Sequence, residues 1–390
     1  MMRRNYTRLC GAGLILFIAG FLLSCSEGDF TIFYQVINEK AIQDNDLDNT
    51  LSVQGMERVD LSAFTQPNRY YIAAGKIFTR TVTSDNWDSV SNQTDNDERL
   101  CNGLAFYGVN TLFGSFYSVD GKHYGLYTVL TDAAFAASPK NIAWTPVADV
   151  DVAGKRIGSL KVVNGVLFIS VRDGDEYSLV SFNGSYSIVQ FNEPPLPATD
   201  KLPVPVRDVT FDGVNFWCIT GSKIYQGSSL SVTQESAAGT PTVSGDERFE
   251  GIVHTSNGNI YLSTSRGIIW LYRGGTWTSR HFDYQASAAV EDDVWFTKFL
   301  EVHDTGGSPV DMVVVGTHGA GFFEINDGAA DPLGSIERFA NTSKKELYSG
   351  SAGGFFVADA DNYAFFVLTL GSGLWRSRLK DGNWESWTWE

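Results

Sequence analysis

Positive charge, cysteine, histidine and helical periodicity are all scarce in this 390-residue chain, and each shortage excludes something. Lysine and arginine number 29 against 45 acids, a formal charge of −16. Neutralising a phosphate backbone needs a basic face, so no nucleic-acid partner is expected. The four cysteines form no CxxC and no Cys/His cluster, and His123, His254, His281, His303 and His318 include no pair at metal-ligand spacing. No metal site is therefore expected. Beyond the N-terminus no apolar run is long enough to span a membrane. Helix-period segments are nearly missing, with one short turn at Asp132 to Ala137. GxSxG, P-loop and strand-turn-helix GxGxxG motifs are absent, and Gly319-Ala320-Gly321 and Gly371-Ser372-Gly373 read as hairpin turns. Acyl transfer and nucleotide chemistry thus have no support, and no cofactor is expected.

What is plentiful is glycine, with 39 residues, and aromatic side chains at 13%. Asn257 to Trp277 shows how they are used. A turn at Asn257-Gly258 leads to a strand carrying Ile260 and Leu262, and a turn at Ser265-Arg266-Gly267 leads to a second apolar strand, Ile268 to Tyr272. Gly274-Gly275 then turns the chain into Trp277. Two successive hairpins make an antiparallel meander. The middle turn recurs at Gly75, Gly121, Gly174, Gly221, Gly267, Gly319 and Gly371, at spacings of 46, 53, 47, 46, 52 and 52 residues. An earlier turn and strand precede several of these markers, as at Asn164-Gly165 and Asp212-Gly213, and aromatic-bearing strands follow at Trp87, Trp144, Tyr186, Trp277, Phe339 and Trp384. Four strands per unit, repeated seven times at a period near fifty, predict an all-β, seven-bladed β-propeller of four-stranded antiparallel blades.

The first residues form a targeting segment. Arg3, Arg4 and Arg8 precede the apolar run Leu14 to Leu23, which ends in Leu22-Leu23-Ser24-Cys25. This resembles a bacterial lipobox, which implies cleavage before Cys25 and lipidation of that cysteine. Ser26 in the next position implies the outer membrane, and acyl chains contribute about 0.8 kcal/mol per buried CH₂. Cleavage would remove three arginines and no acid, taking the charge from −16 to −19. It would leave Cys101 and Cys218, which fall in non-neighbouring repeats and are expected as buried thiols. The expected domains are a signal peptide at 1–24, a lipidated N-terminus with a ring-closing strand and linker at 25–57, and the propeller at 58–390. Phe30 to Ile37 is the expected ring-closing strand, added to the last blade. Asp44 to Asn49 imitates the start of a calcium loop but lacks the glycine and glutamate such loops need, so it reads as a solvated turn. Asn192 to Pro205, with five prolines, reads as an extended surface loop between blades three and four.

Gly274-Gly275-Thr276-Trp277 and Asp381-Gly382-Asn383-Trp384 resemble the small-Gly-x-Trp turns of degenerate BNR/Asp-box and two-component-regulator propellers. The likeness covers two blades of seven, and the full Ser-x-Asp-x-Gly-x-Thr-Trp string occurs nowhere. It implies a fold and an envelope address, periplasmic or surface-exposed, without an activity.

One position recurs with charge. Just before the inner strands of the first five blades stand Arg58, Arg99, Arg156, Arg207 and Arg248. Together they form a candidate anion funnel on an otherwise acidic protein. The competing reading is structural, because Glu57, Glu98, Asp208 and Glu247 lie alongside. The weak catalytic candidates are Asp60 and Glu250, with Asp246, Glu291, Asp292 and Asp293 on loops, and no spacing singles out a pair.

The expected function is binding or scaffolding of an envelope protein or glycan, by a protein held to the membrane through its N-terminal lipid. The alternatives are a sialidase- or lyase-like enzyme holding a carboxylated sugar in the arginine funnel, and an envelope-assembly accessory lipoprotein.

Overall fold

The computed structural model describes residues 53–93, 99–235, 239–287, 290–303, 311–339, 351–358, 364–369, 373–380 and 383–390. The lipidation candidate Cys25, the expected ring-closing strand and the Asp44 to Asn49 turn lie outside them. Seven antiparallel sheets follow one another along the chain, each running inner strand to outer strand in sequence order. The fold is a seven-bladed β-propeller. Its inner strands are Gly55–Val59, Arg99–Tyr107, Arg156–Val163, Asp208–Phe211, Phe249–His254, Trp295–His303 and Ala352–Ala358. The first of these straddles position 58.

Each blade is a pleated sheet with two apolar faces, and it must cover both. The buried side chains accordingly sort into seven clusters, one for each junction between neighbouring blades. The outer-strand tryptophans act as wedges there. Trp144 joins the cluster between blades one and two, Trp277 that between four and five, and Trp384 that between six and seven. The seventh cluster closes the ring, packing Val53, Met56, Tyr70 and Trp87 of blade one against Phe366, Leu368 and Leu374 of blade seven. Arg80 is fully buried at this junction; its guanidinium pairs with Glu390 at 2.8 Å and stands over the rings of Tyr70 and Trp87. Arg376 also reaches Glu390, at 2.9 Å, and Asp85, at 3.3 Å.

Turn glycines fix the hairpins. At Gly75, Gly121, Gly174, Gly267 and Gly319 the backbone is left-handed, with φ between 63° and 96°, a region that glycine enters without steric cost. A different constraint acts near the axis. A Cβ on Gly251 would stand 2.5 Å from the Thr297 carbonyl oxygen of the next inner strand, so only glycine allows that approach. The inner strands of blades two, three, five, six and seven each carry a register shift near their start, which re-aims side chains at that end of the channel.

The connectors are stitched into the ring. Gln190–Asn192, leaving blade three, adds a fifth strand to blade four by parallel pairing with Ser231–Gln234. The proline-rich segment that follows folds back through backbone bridges from Thr199 to Phe191 and from Leu202 to Tyr177. Ser91–Gln93 pairs in parallel with Asn141–Ala143. The single α-helix among the described residues, Ala133–Ala137, starts where Asp132 accepts hydrogen bonds from the N–H groups of Ala134 and Phe135. Cys101 and Cys218 are both buried free thiols, and burial pushes each up to about 12.

Candidate site at the mouth of the channel

Arg99 and Arg156 open their strands, and Arg207 and Arg248 immediately precede theirs. These four therefore lie at one end of the channel. Arg58 does not join them. It is the fourth residue of a strand that begins at Gly55, so it lies toward the other end, opposite Tyr70. The recurring Glu-Arg pair had concealed this shift of register. Asp60 follows that same far end, where it is exposed and accepts the Ser62 N–H at 2.9 Å. The Ser62 hydroxyl and, after it, the Ser62 N–H hold its carboxyl below the ordinary value. Glu250, the second residue of its inner strand, lies at the mouth, so the two catalytic candidates are not brought together.

The mouth has two unlike halves. Across blades four to six the charges neutralise one another. Glu250 accepts from Arg207 Nη1 at 2.9 Å and from Arg248 Nε at 2.7 Å, and its side chain is 11% exposed. Arg248 also stands over the ring of Trp295, 4.8 Å from its centroid, and Trp295 leans on His318 at 4.6 Å. Burial pushes the His318 imidazole down, with Glu250 opposing. Deeper in, Asp208 pairs with Lys161 at 2.6 Å and with Lys298 at 3.6 Å, and accepts the Ile252 N–H of the next blade at 3.1 Å. Burial works against the Asp208 charge, but the two ammonium groups and the N–H outweigh it and hold the carboxyl below the ordinary value. Burial in turn pushes Lys298 down. This lysine pair was not legible in the sequence, since Lys161, Asp208 and Lys298 come from three blades. Among the loop acids, Asp246 pairs with Arg266, while Glu291, Asp292 and Asp293 fall on a two-stranded hairpin between blades five and six.

Across blades one to three the arrangement differs. Arg99 lies over the Tyr127 ring, 5.0 Å from its centroid, and its Nε meets no acceptor among the described residues. Arg156 is exposed, stands 5.7 Å from the centroid of Tyr124, and pairs with no acid among the described residues. Beside it opens a pocket of about 330 Å³, lined by Gln54, Asn102, Phe116, Tyr117, Gly121, Tyr124, Arg156 and Ile157. Gln54 comes from the start of blade one, Asn102 and the tyrosines from blade two, and Arg156 from blade three. Asn102 is oriented by Ser115, whose hydroxyl donates to its Oδ1 at 2.7 Å, and by the Ile157 carbonyl at 3.4 Å. No group of three or more His, Cys, Asp or Glu side chains among the described residues is placed to hold a metal ion.

No protein-family model and no curated protein matches this sequence. The likeness is structural. The Dos1 propeller superposes with a TM-score of 0.50 at 9% identity, covering 87% of this chain and 96% of that one. BBS1N, crystallised in complex with ARL6DN, gives 0.50 at 9% identity, covering 86% and 94%. The extracellular domain of the putative hybrid two-component system BT4673 from B. thetaiotaomicron gives 0.36 at 12% identity, covering 84% of this chain and 51% of that one. At such identities the first two show the fold alone, and the third carries no argument. Among the described residues no helix is long and apolar enough to cross a membrane.

Proposed function

We propose that this protein is a cell-envelope propeller, anchored to the outer membrane through a lipid on Cys25, that binds or scaffolds an envelope protein or glycan at the mouth of its channel. The observation carrying the reading is the asymmetry of the mouth. The acid placed among the arginines, Glu250, is clamped by two guanidiniums, while Arg156 faces a pocket without an acidic partner among the described residues. A glycosidase of the two-carboxylate kind needs one carboxyl that gives up a proton and a second across the scissile bond. Both carboxylate oxygens of Glu250 are taken by guanidiniums, and Asp60 lies beyond the far end of the first inner strand. A pocket presenting a cation, two phenols and two carboxamides is suited to holding a polar partner unchanged. The BNR-like turns at Gly274 to Trp277 and Asp381 to Trp384 are consistent with the envelope address.

Two measurements test this reading. Cells expressing the full chain are fed radiolabelled palmitate; label is expected on the wild type and absent from Cys25→Ser, and an unlabelled wild type would remove the anchor. The full chain, solubilised in detergent, is then incubated with chromogenic sialosides and uronosides. No release of chromophore is expected, and turnover lost in Glu250→Gln would make the protein an enzyme instead.

A further inference from the structure

The sequence of this chain leans strongly to the acidic side, at −16, yet the pocket between blades one, two and three has one cation and no carboxylate in its lining. Its volume, about 330 Å³, falls at the lower end of the range of about 300–1,000 Å³ usual for small-molecule sites. Arg156 reaches it already oriented, since the guanidinium rests over the face of Tyr124, and a planar fork held in this way suits a carboxylate. The remaining polar groups are neutral. Among the described residues the hydroxyls of Tyr117 and Tyr124 and the side-chain amide of Gln54 meet no hydrogen-bond partner. Asn102 is held from two sides and keeps a second amide hydrogen free. Groups that both donate and accept, set beside aromatic faces, match the hydroxyls and C–H faces of a sugar ring. Across the mouth, Arg207 and Arg248 are neutralised by Glu250, so the charge open to an anion lies on the Arg156 side.

We propose that this pocket binds a carboxylated sugar residue, its carboxylate forked by Arg156 and its hydroxyls read by Gln54, Asn102, Tyr117 and Tyr124. The assignment rests on the binding reading above and narrows it to one ligand class and one pocket.

Calorimetric titration of the full-length, detergent-solubilised protein tests it, with D-glucuronate, D-galacturonate and N-acetylneuraminate as probes. D-glucose and D-galactose serve as neutral counterparts, and acetate supplies a carboxylate without a ring. At least one acidic sugar is expected to bind at least about tenfold more tightly than its neutral counterpart and than acetate, as a charge-assisted hydrogen bond requires. Arg156→Ala should lose at least about tenfold in affinity, Arg156→Lys should keep part of it, and Arg273→Ala, an exposed arginine of blade five away from the pocket, should leave it unchanged. Thermal melts confirm that each variant is folded. Equal binding of neutral sugars, acetate binding as tightly as the sugars, affinity that survives Arg156→Ala, or no binding by any acidic sugar would each overturn the assignment. Those results leave the broader binding reading standing; turnover in the chromogenic assay overturns that reading separately.

Discussion

The guanidinium of Arg80 in the first blade meets the carboxylate of Glu390 in the last at 2.8 Å, with both side chains withdrawn from solvent. Burial raises the Glu390 carboxyl above the ordinary value, and Arg80 and Arg376 oppose it. Replacing one member of such a pair leaves the other charge uncompensated. Arg80→Met is therefore expected to cost about 3–5 kcal/mol in urea denaturation. Glu390→Gln should cost less than Glu390→Leu, because it keeps a hydrogen-bonding group between two guanidiniums. A cost below 1 kcal/mol for Arg80→Met would mean that packing alone closes the ring.

Glu57 predicts a pH dependence. Its carboxyl faces the neighbouring inner strand, and burial pushes it up from 4.5 to about 8 against a backbone hydrogen bond from Phe106. Between those two pH values the folded chain holds a proton that the unfolded chain has released, so stability falls as pH rises through that window and levels off above it. Glu57→Gln should flatten this slope and stabilise the protein at pH 8, by on the order of 1–3 kcal/mol given that Glu57 is only partly shielded. Denaturation at pH 5 and pH 8 measures it, and an unchanged slope in the variant would show that another group titrates.

Arg207 and Arg248 share one acceptor, so their contributions should not add. Either alanine variant alone leaves Glu250 with one guanidinium and should cost about 1 kcal/mol; the double variant leaves a carboxylate at 11% exposure without either and should cost about 1–3 kcal/mol more than the sum. A double-mutant cycle by urea denaturation reads the coupling. Additive losses would mean that Glu250 swings out to water once one arginine is gone.

Gly251→Ala puts a methyl 2.5 Å from the Thr297 carbonyl oxygen, and the backbone of blade six has to move to admit it. The expected cost is about 1–3 kcal/mol. Gly158→Ala, whose Cβ would have no neighbour closer than 3.5 Å, is the control and should cost markedly less.

The architecture was legible because it is written locally. Hairpin turns need residues that tolerate left-handed backbone, so Gly75, Gly121, Gly174, Gly267 and Gly319 mark five of the seven blades in the sequence itself, and Trp144, Trp277 and Trp384 mark the outer edges of three. The site was less legible, because its partners come from different blades. Nothing near Arg207 announces Glu250, 43 residues on, and Lys161 and Lys298 are 137 positions apart in the chain although both meet Asp208. Arg58 misled for a related reason: a glutamate-arginine pair looks the same at either end of a strand, and only the register of Gly55 against Ala73 places it. The pocket drew on Tyr117 and Tyr124, which in sequence are ordinary strand aromatics.

The junction between blade seven and blade one also sets an order in time. Six of the seven apolar clusters join units adjacent in the chain, and each can form as soon as the second unit has emerged from the ribosome. The cluster holding Met56, Tyr70 and Trp87 is the exception, since its cover comes from Phe366 and Leu374, some three hundred residues later. Throughout synthesis blade one therefore carries an uncovered apolar face, and a nascent chain stalled before its last blade is the species most in need of a chaperone.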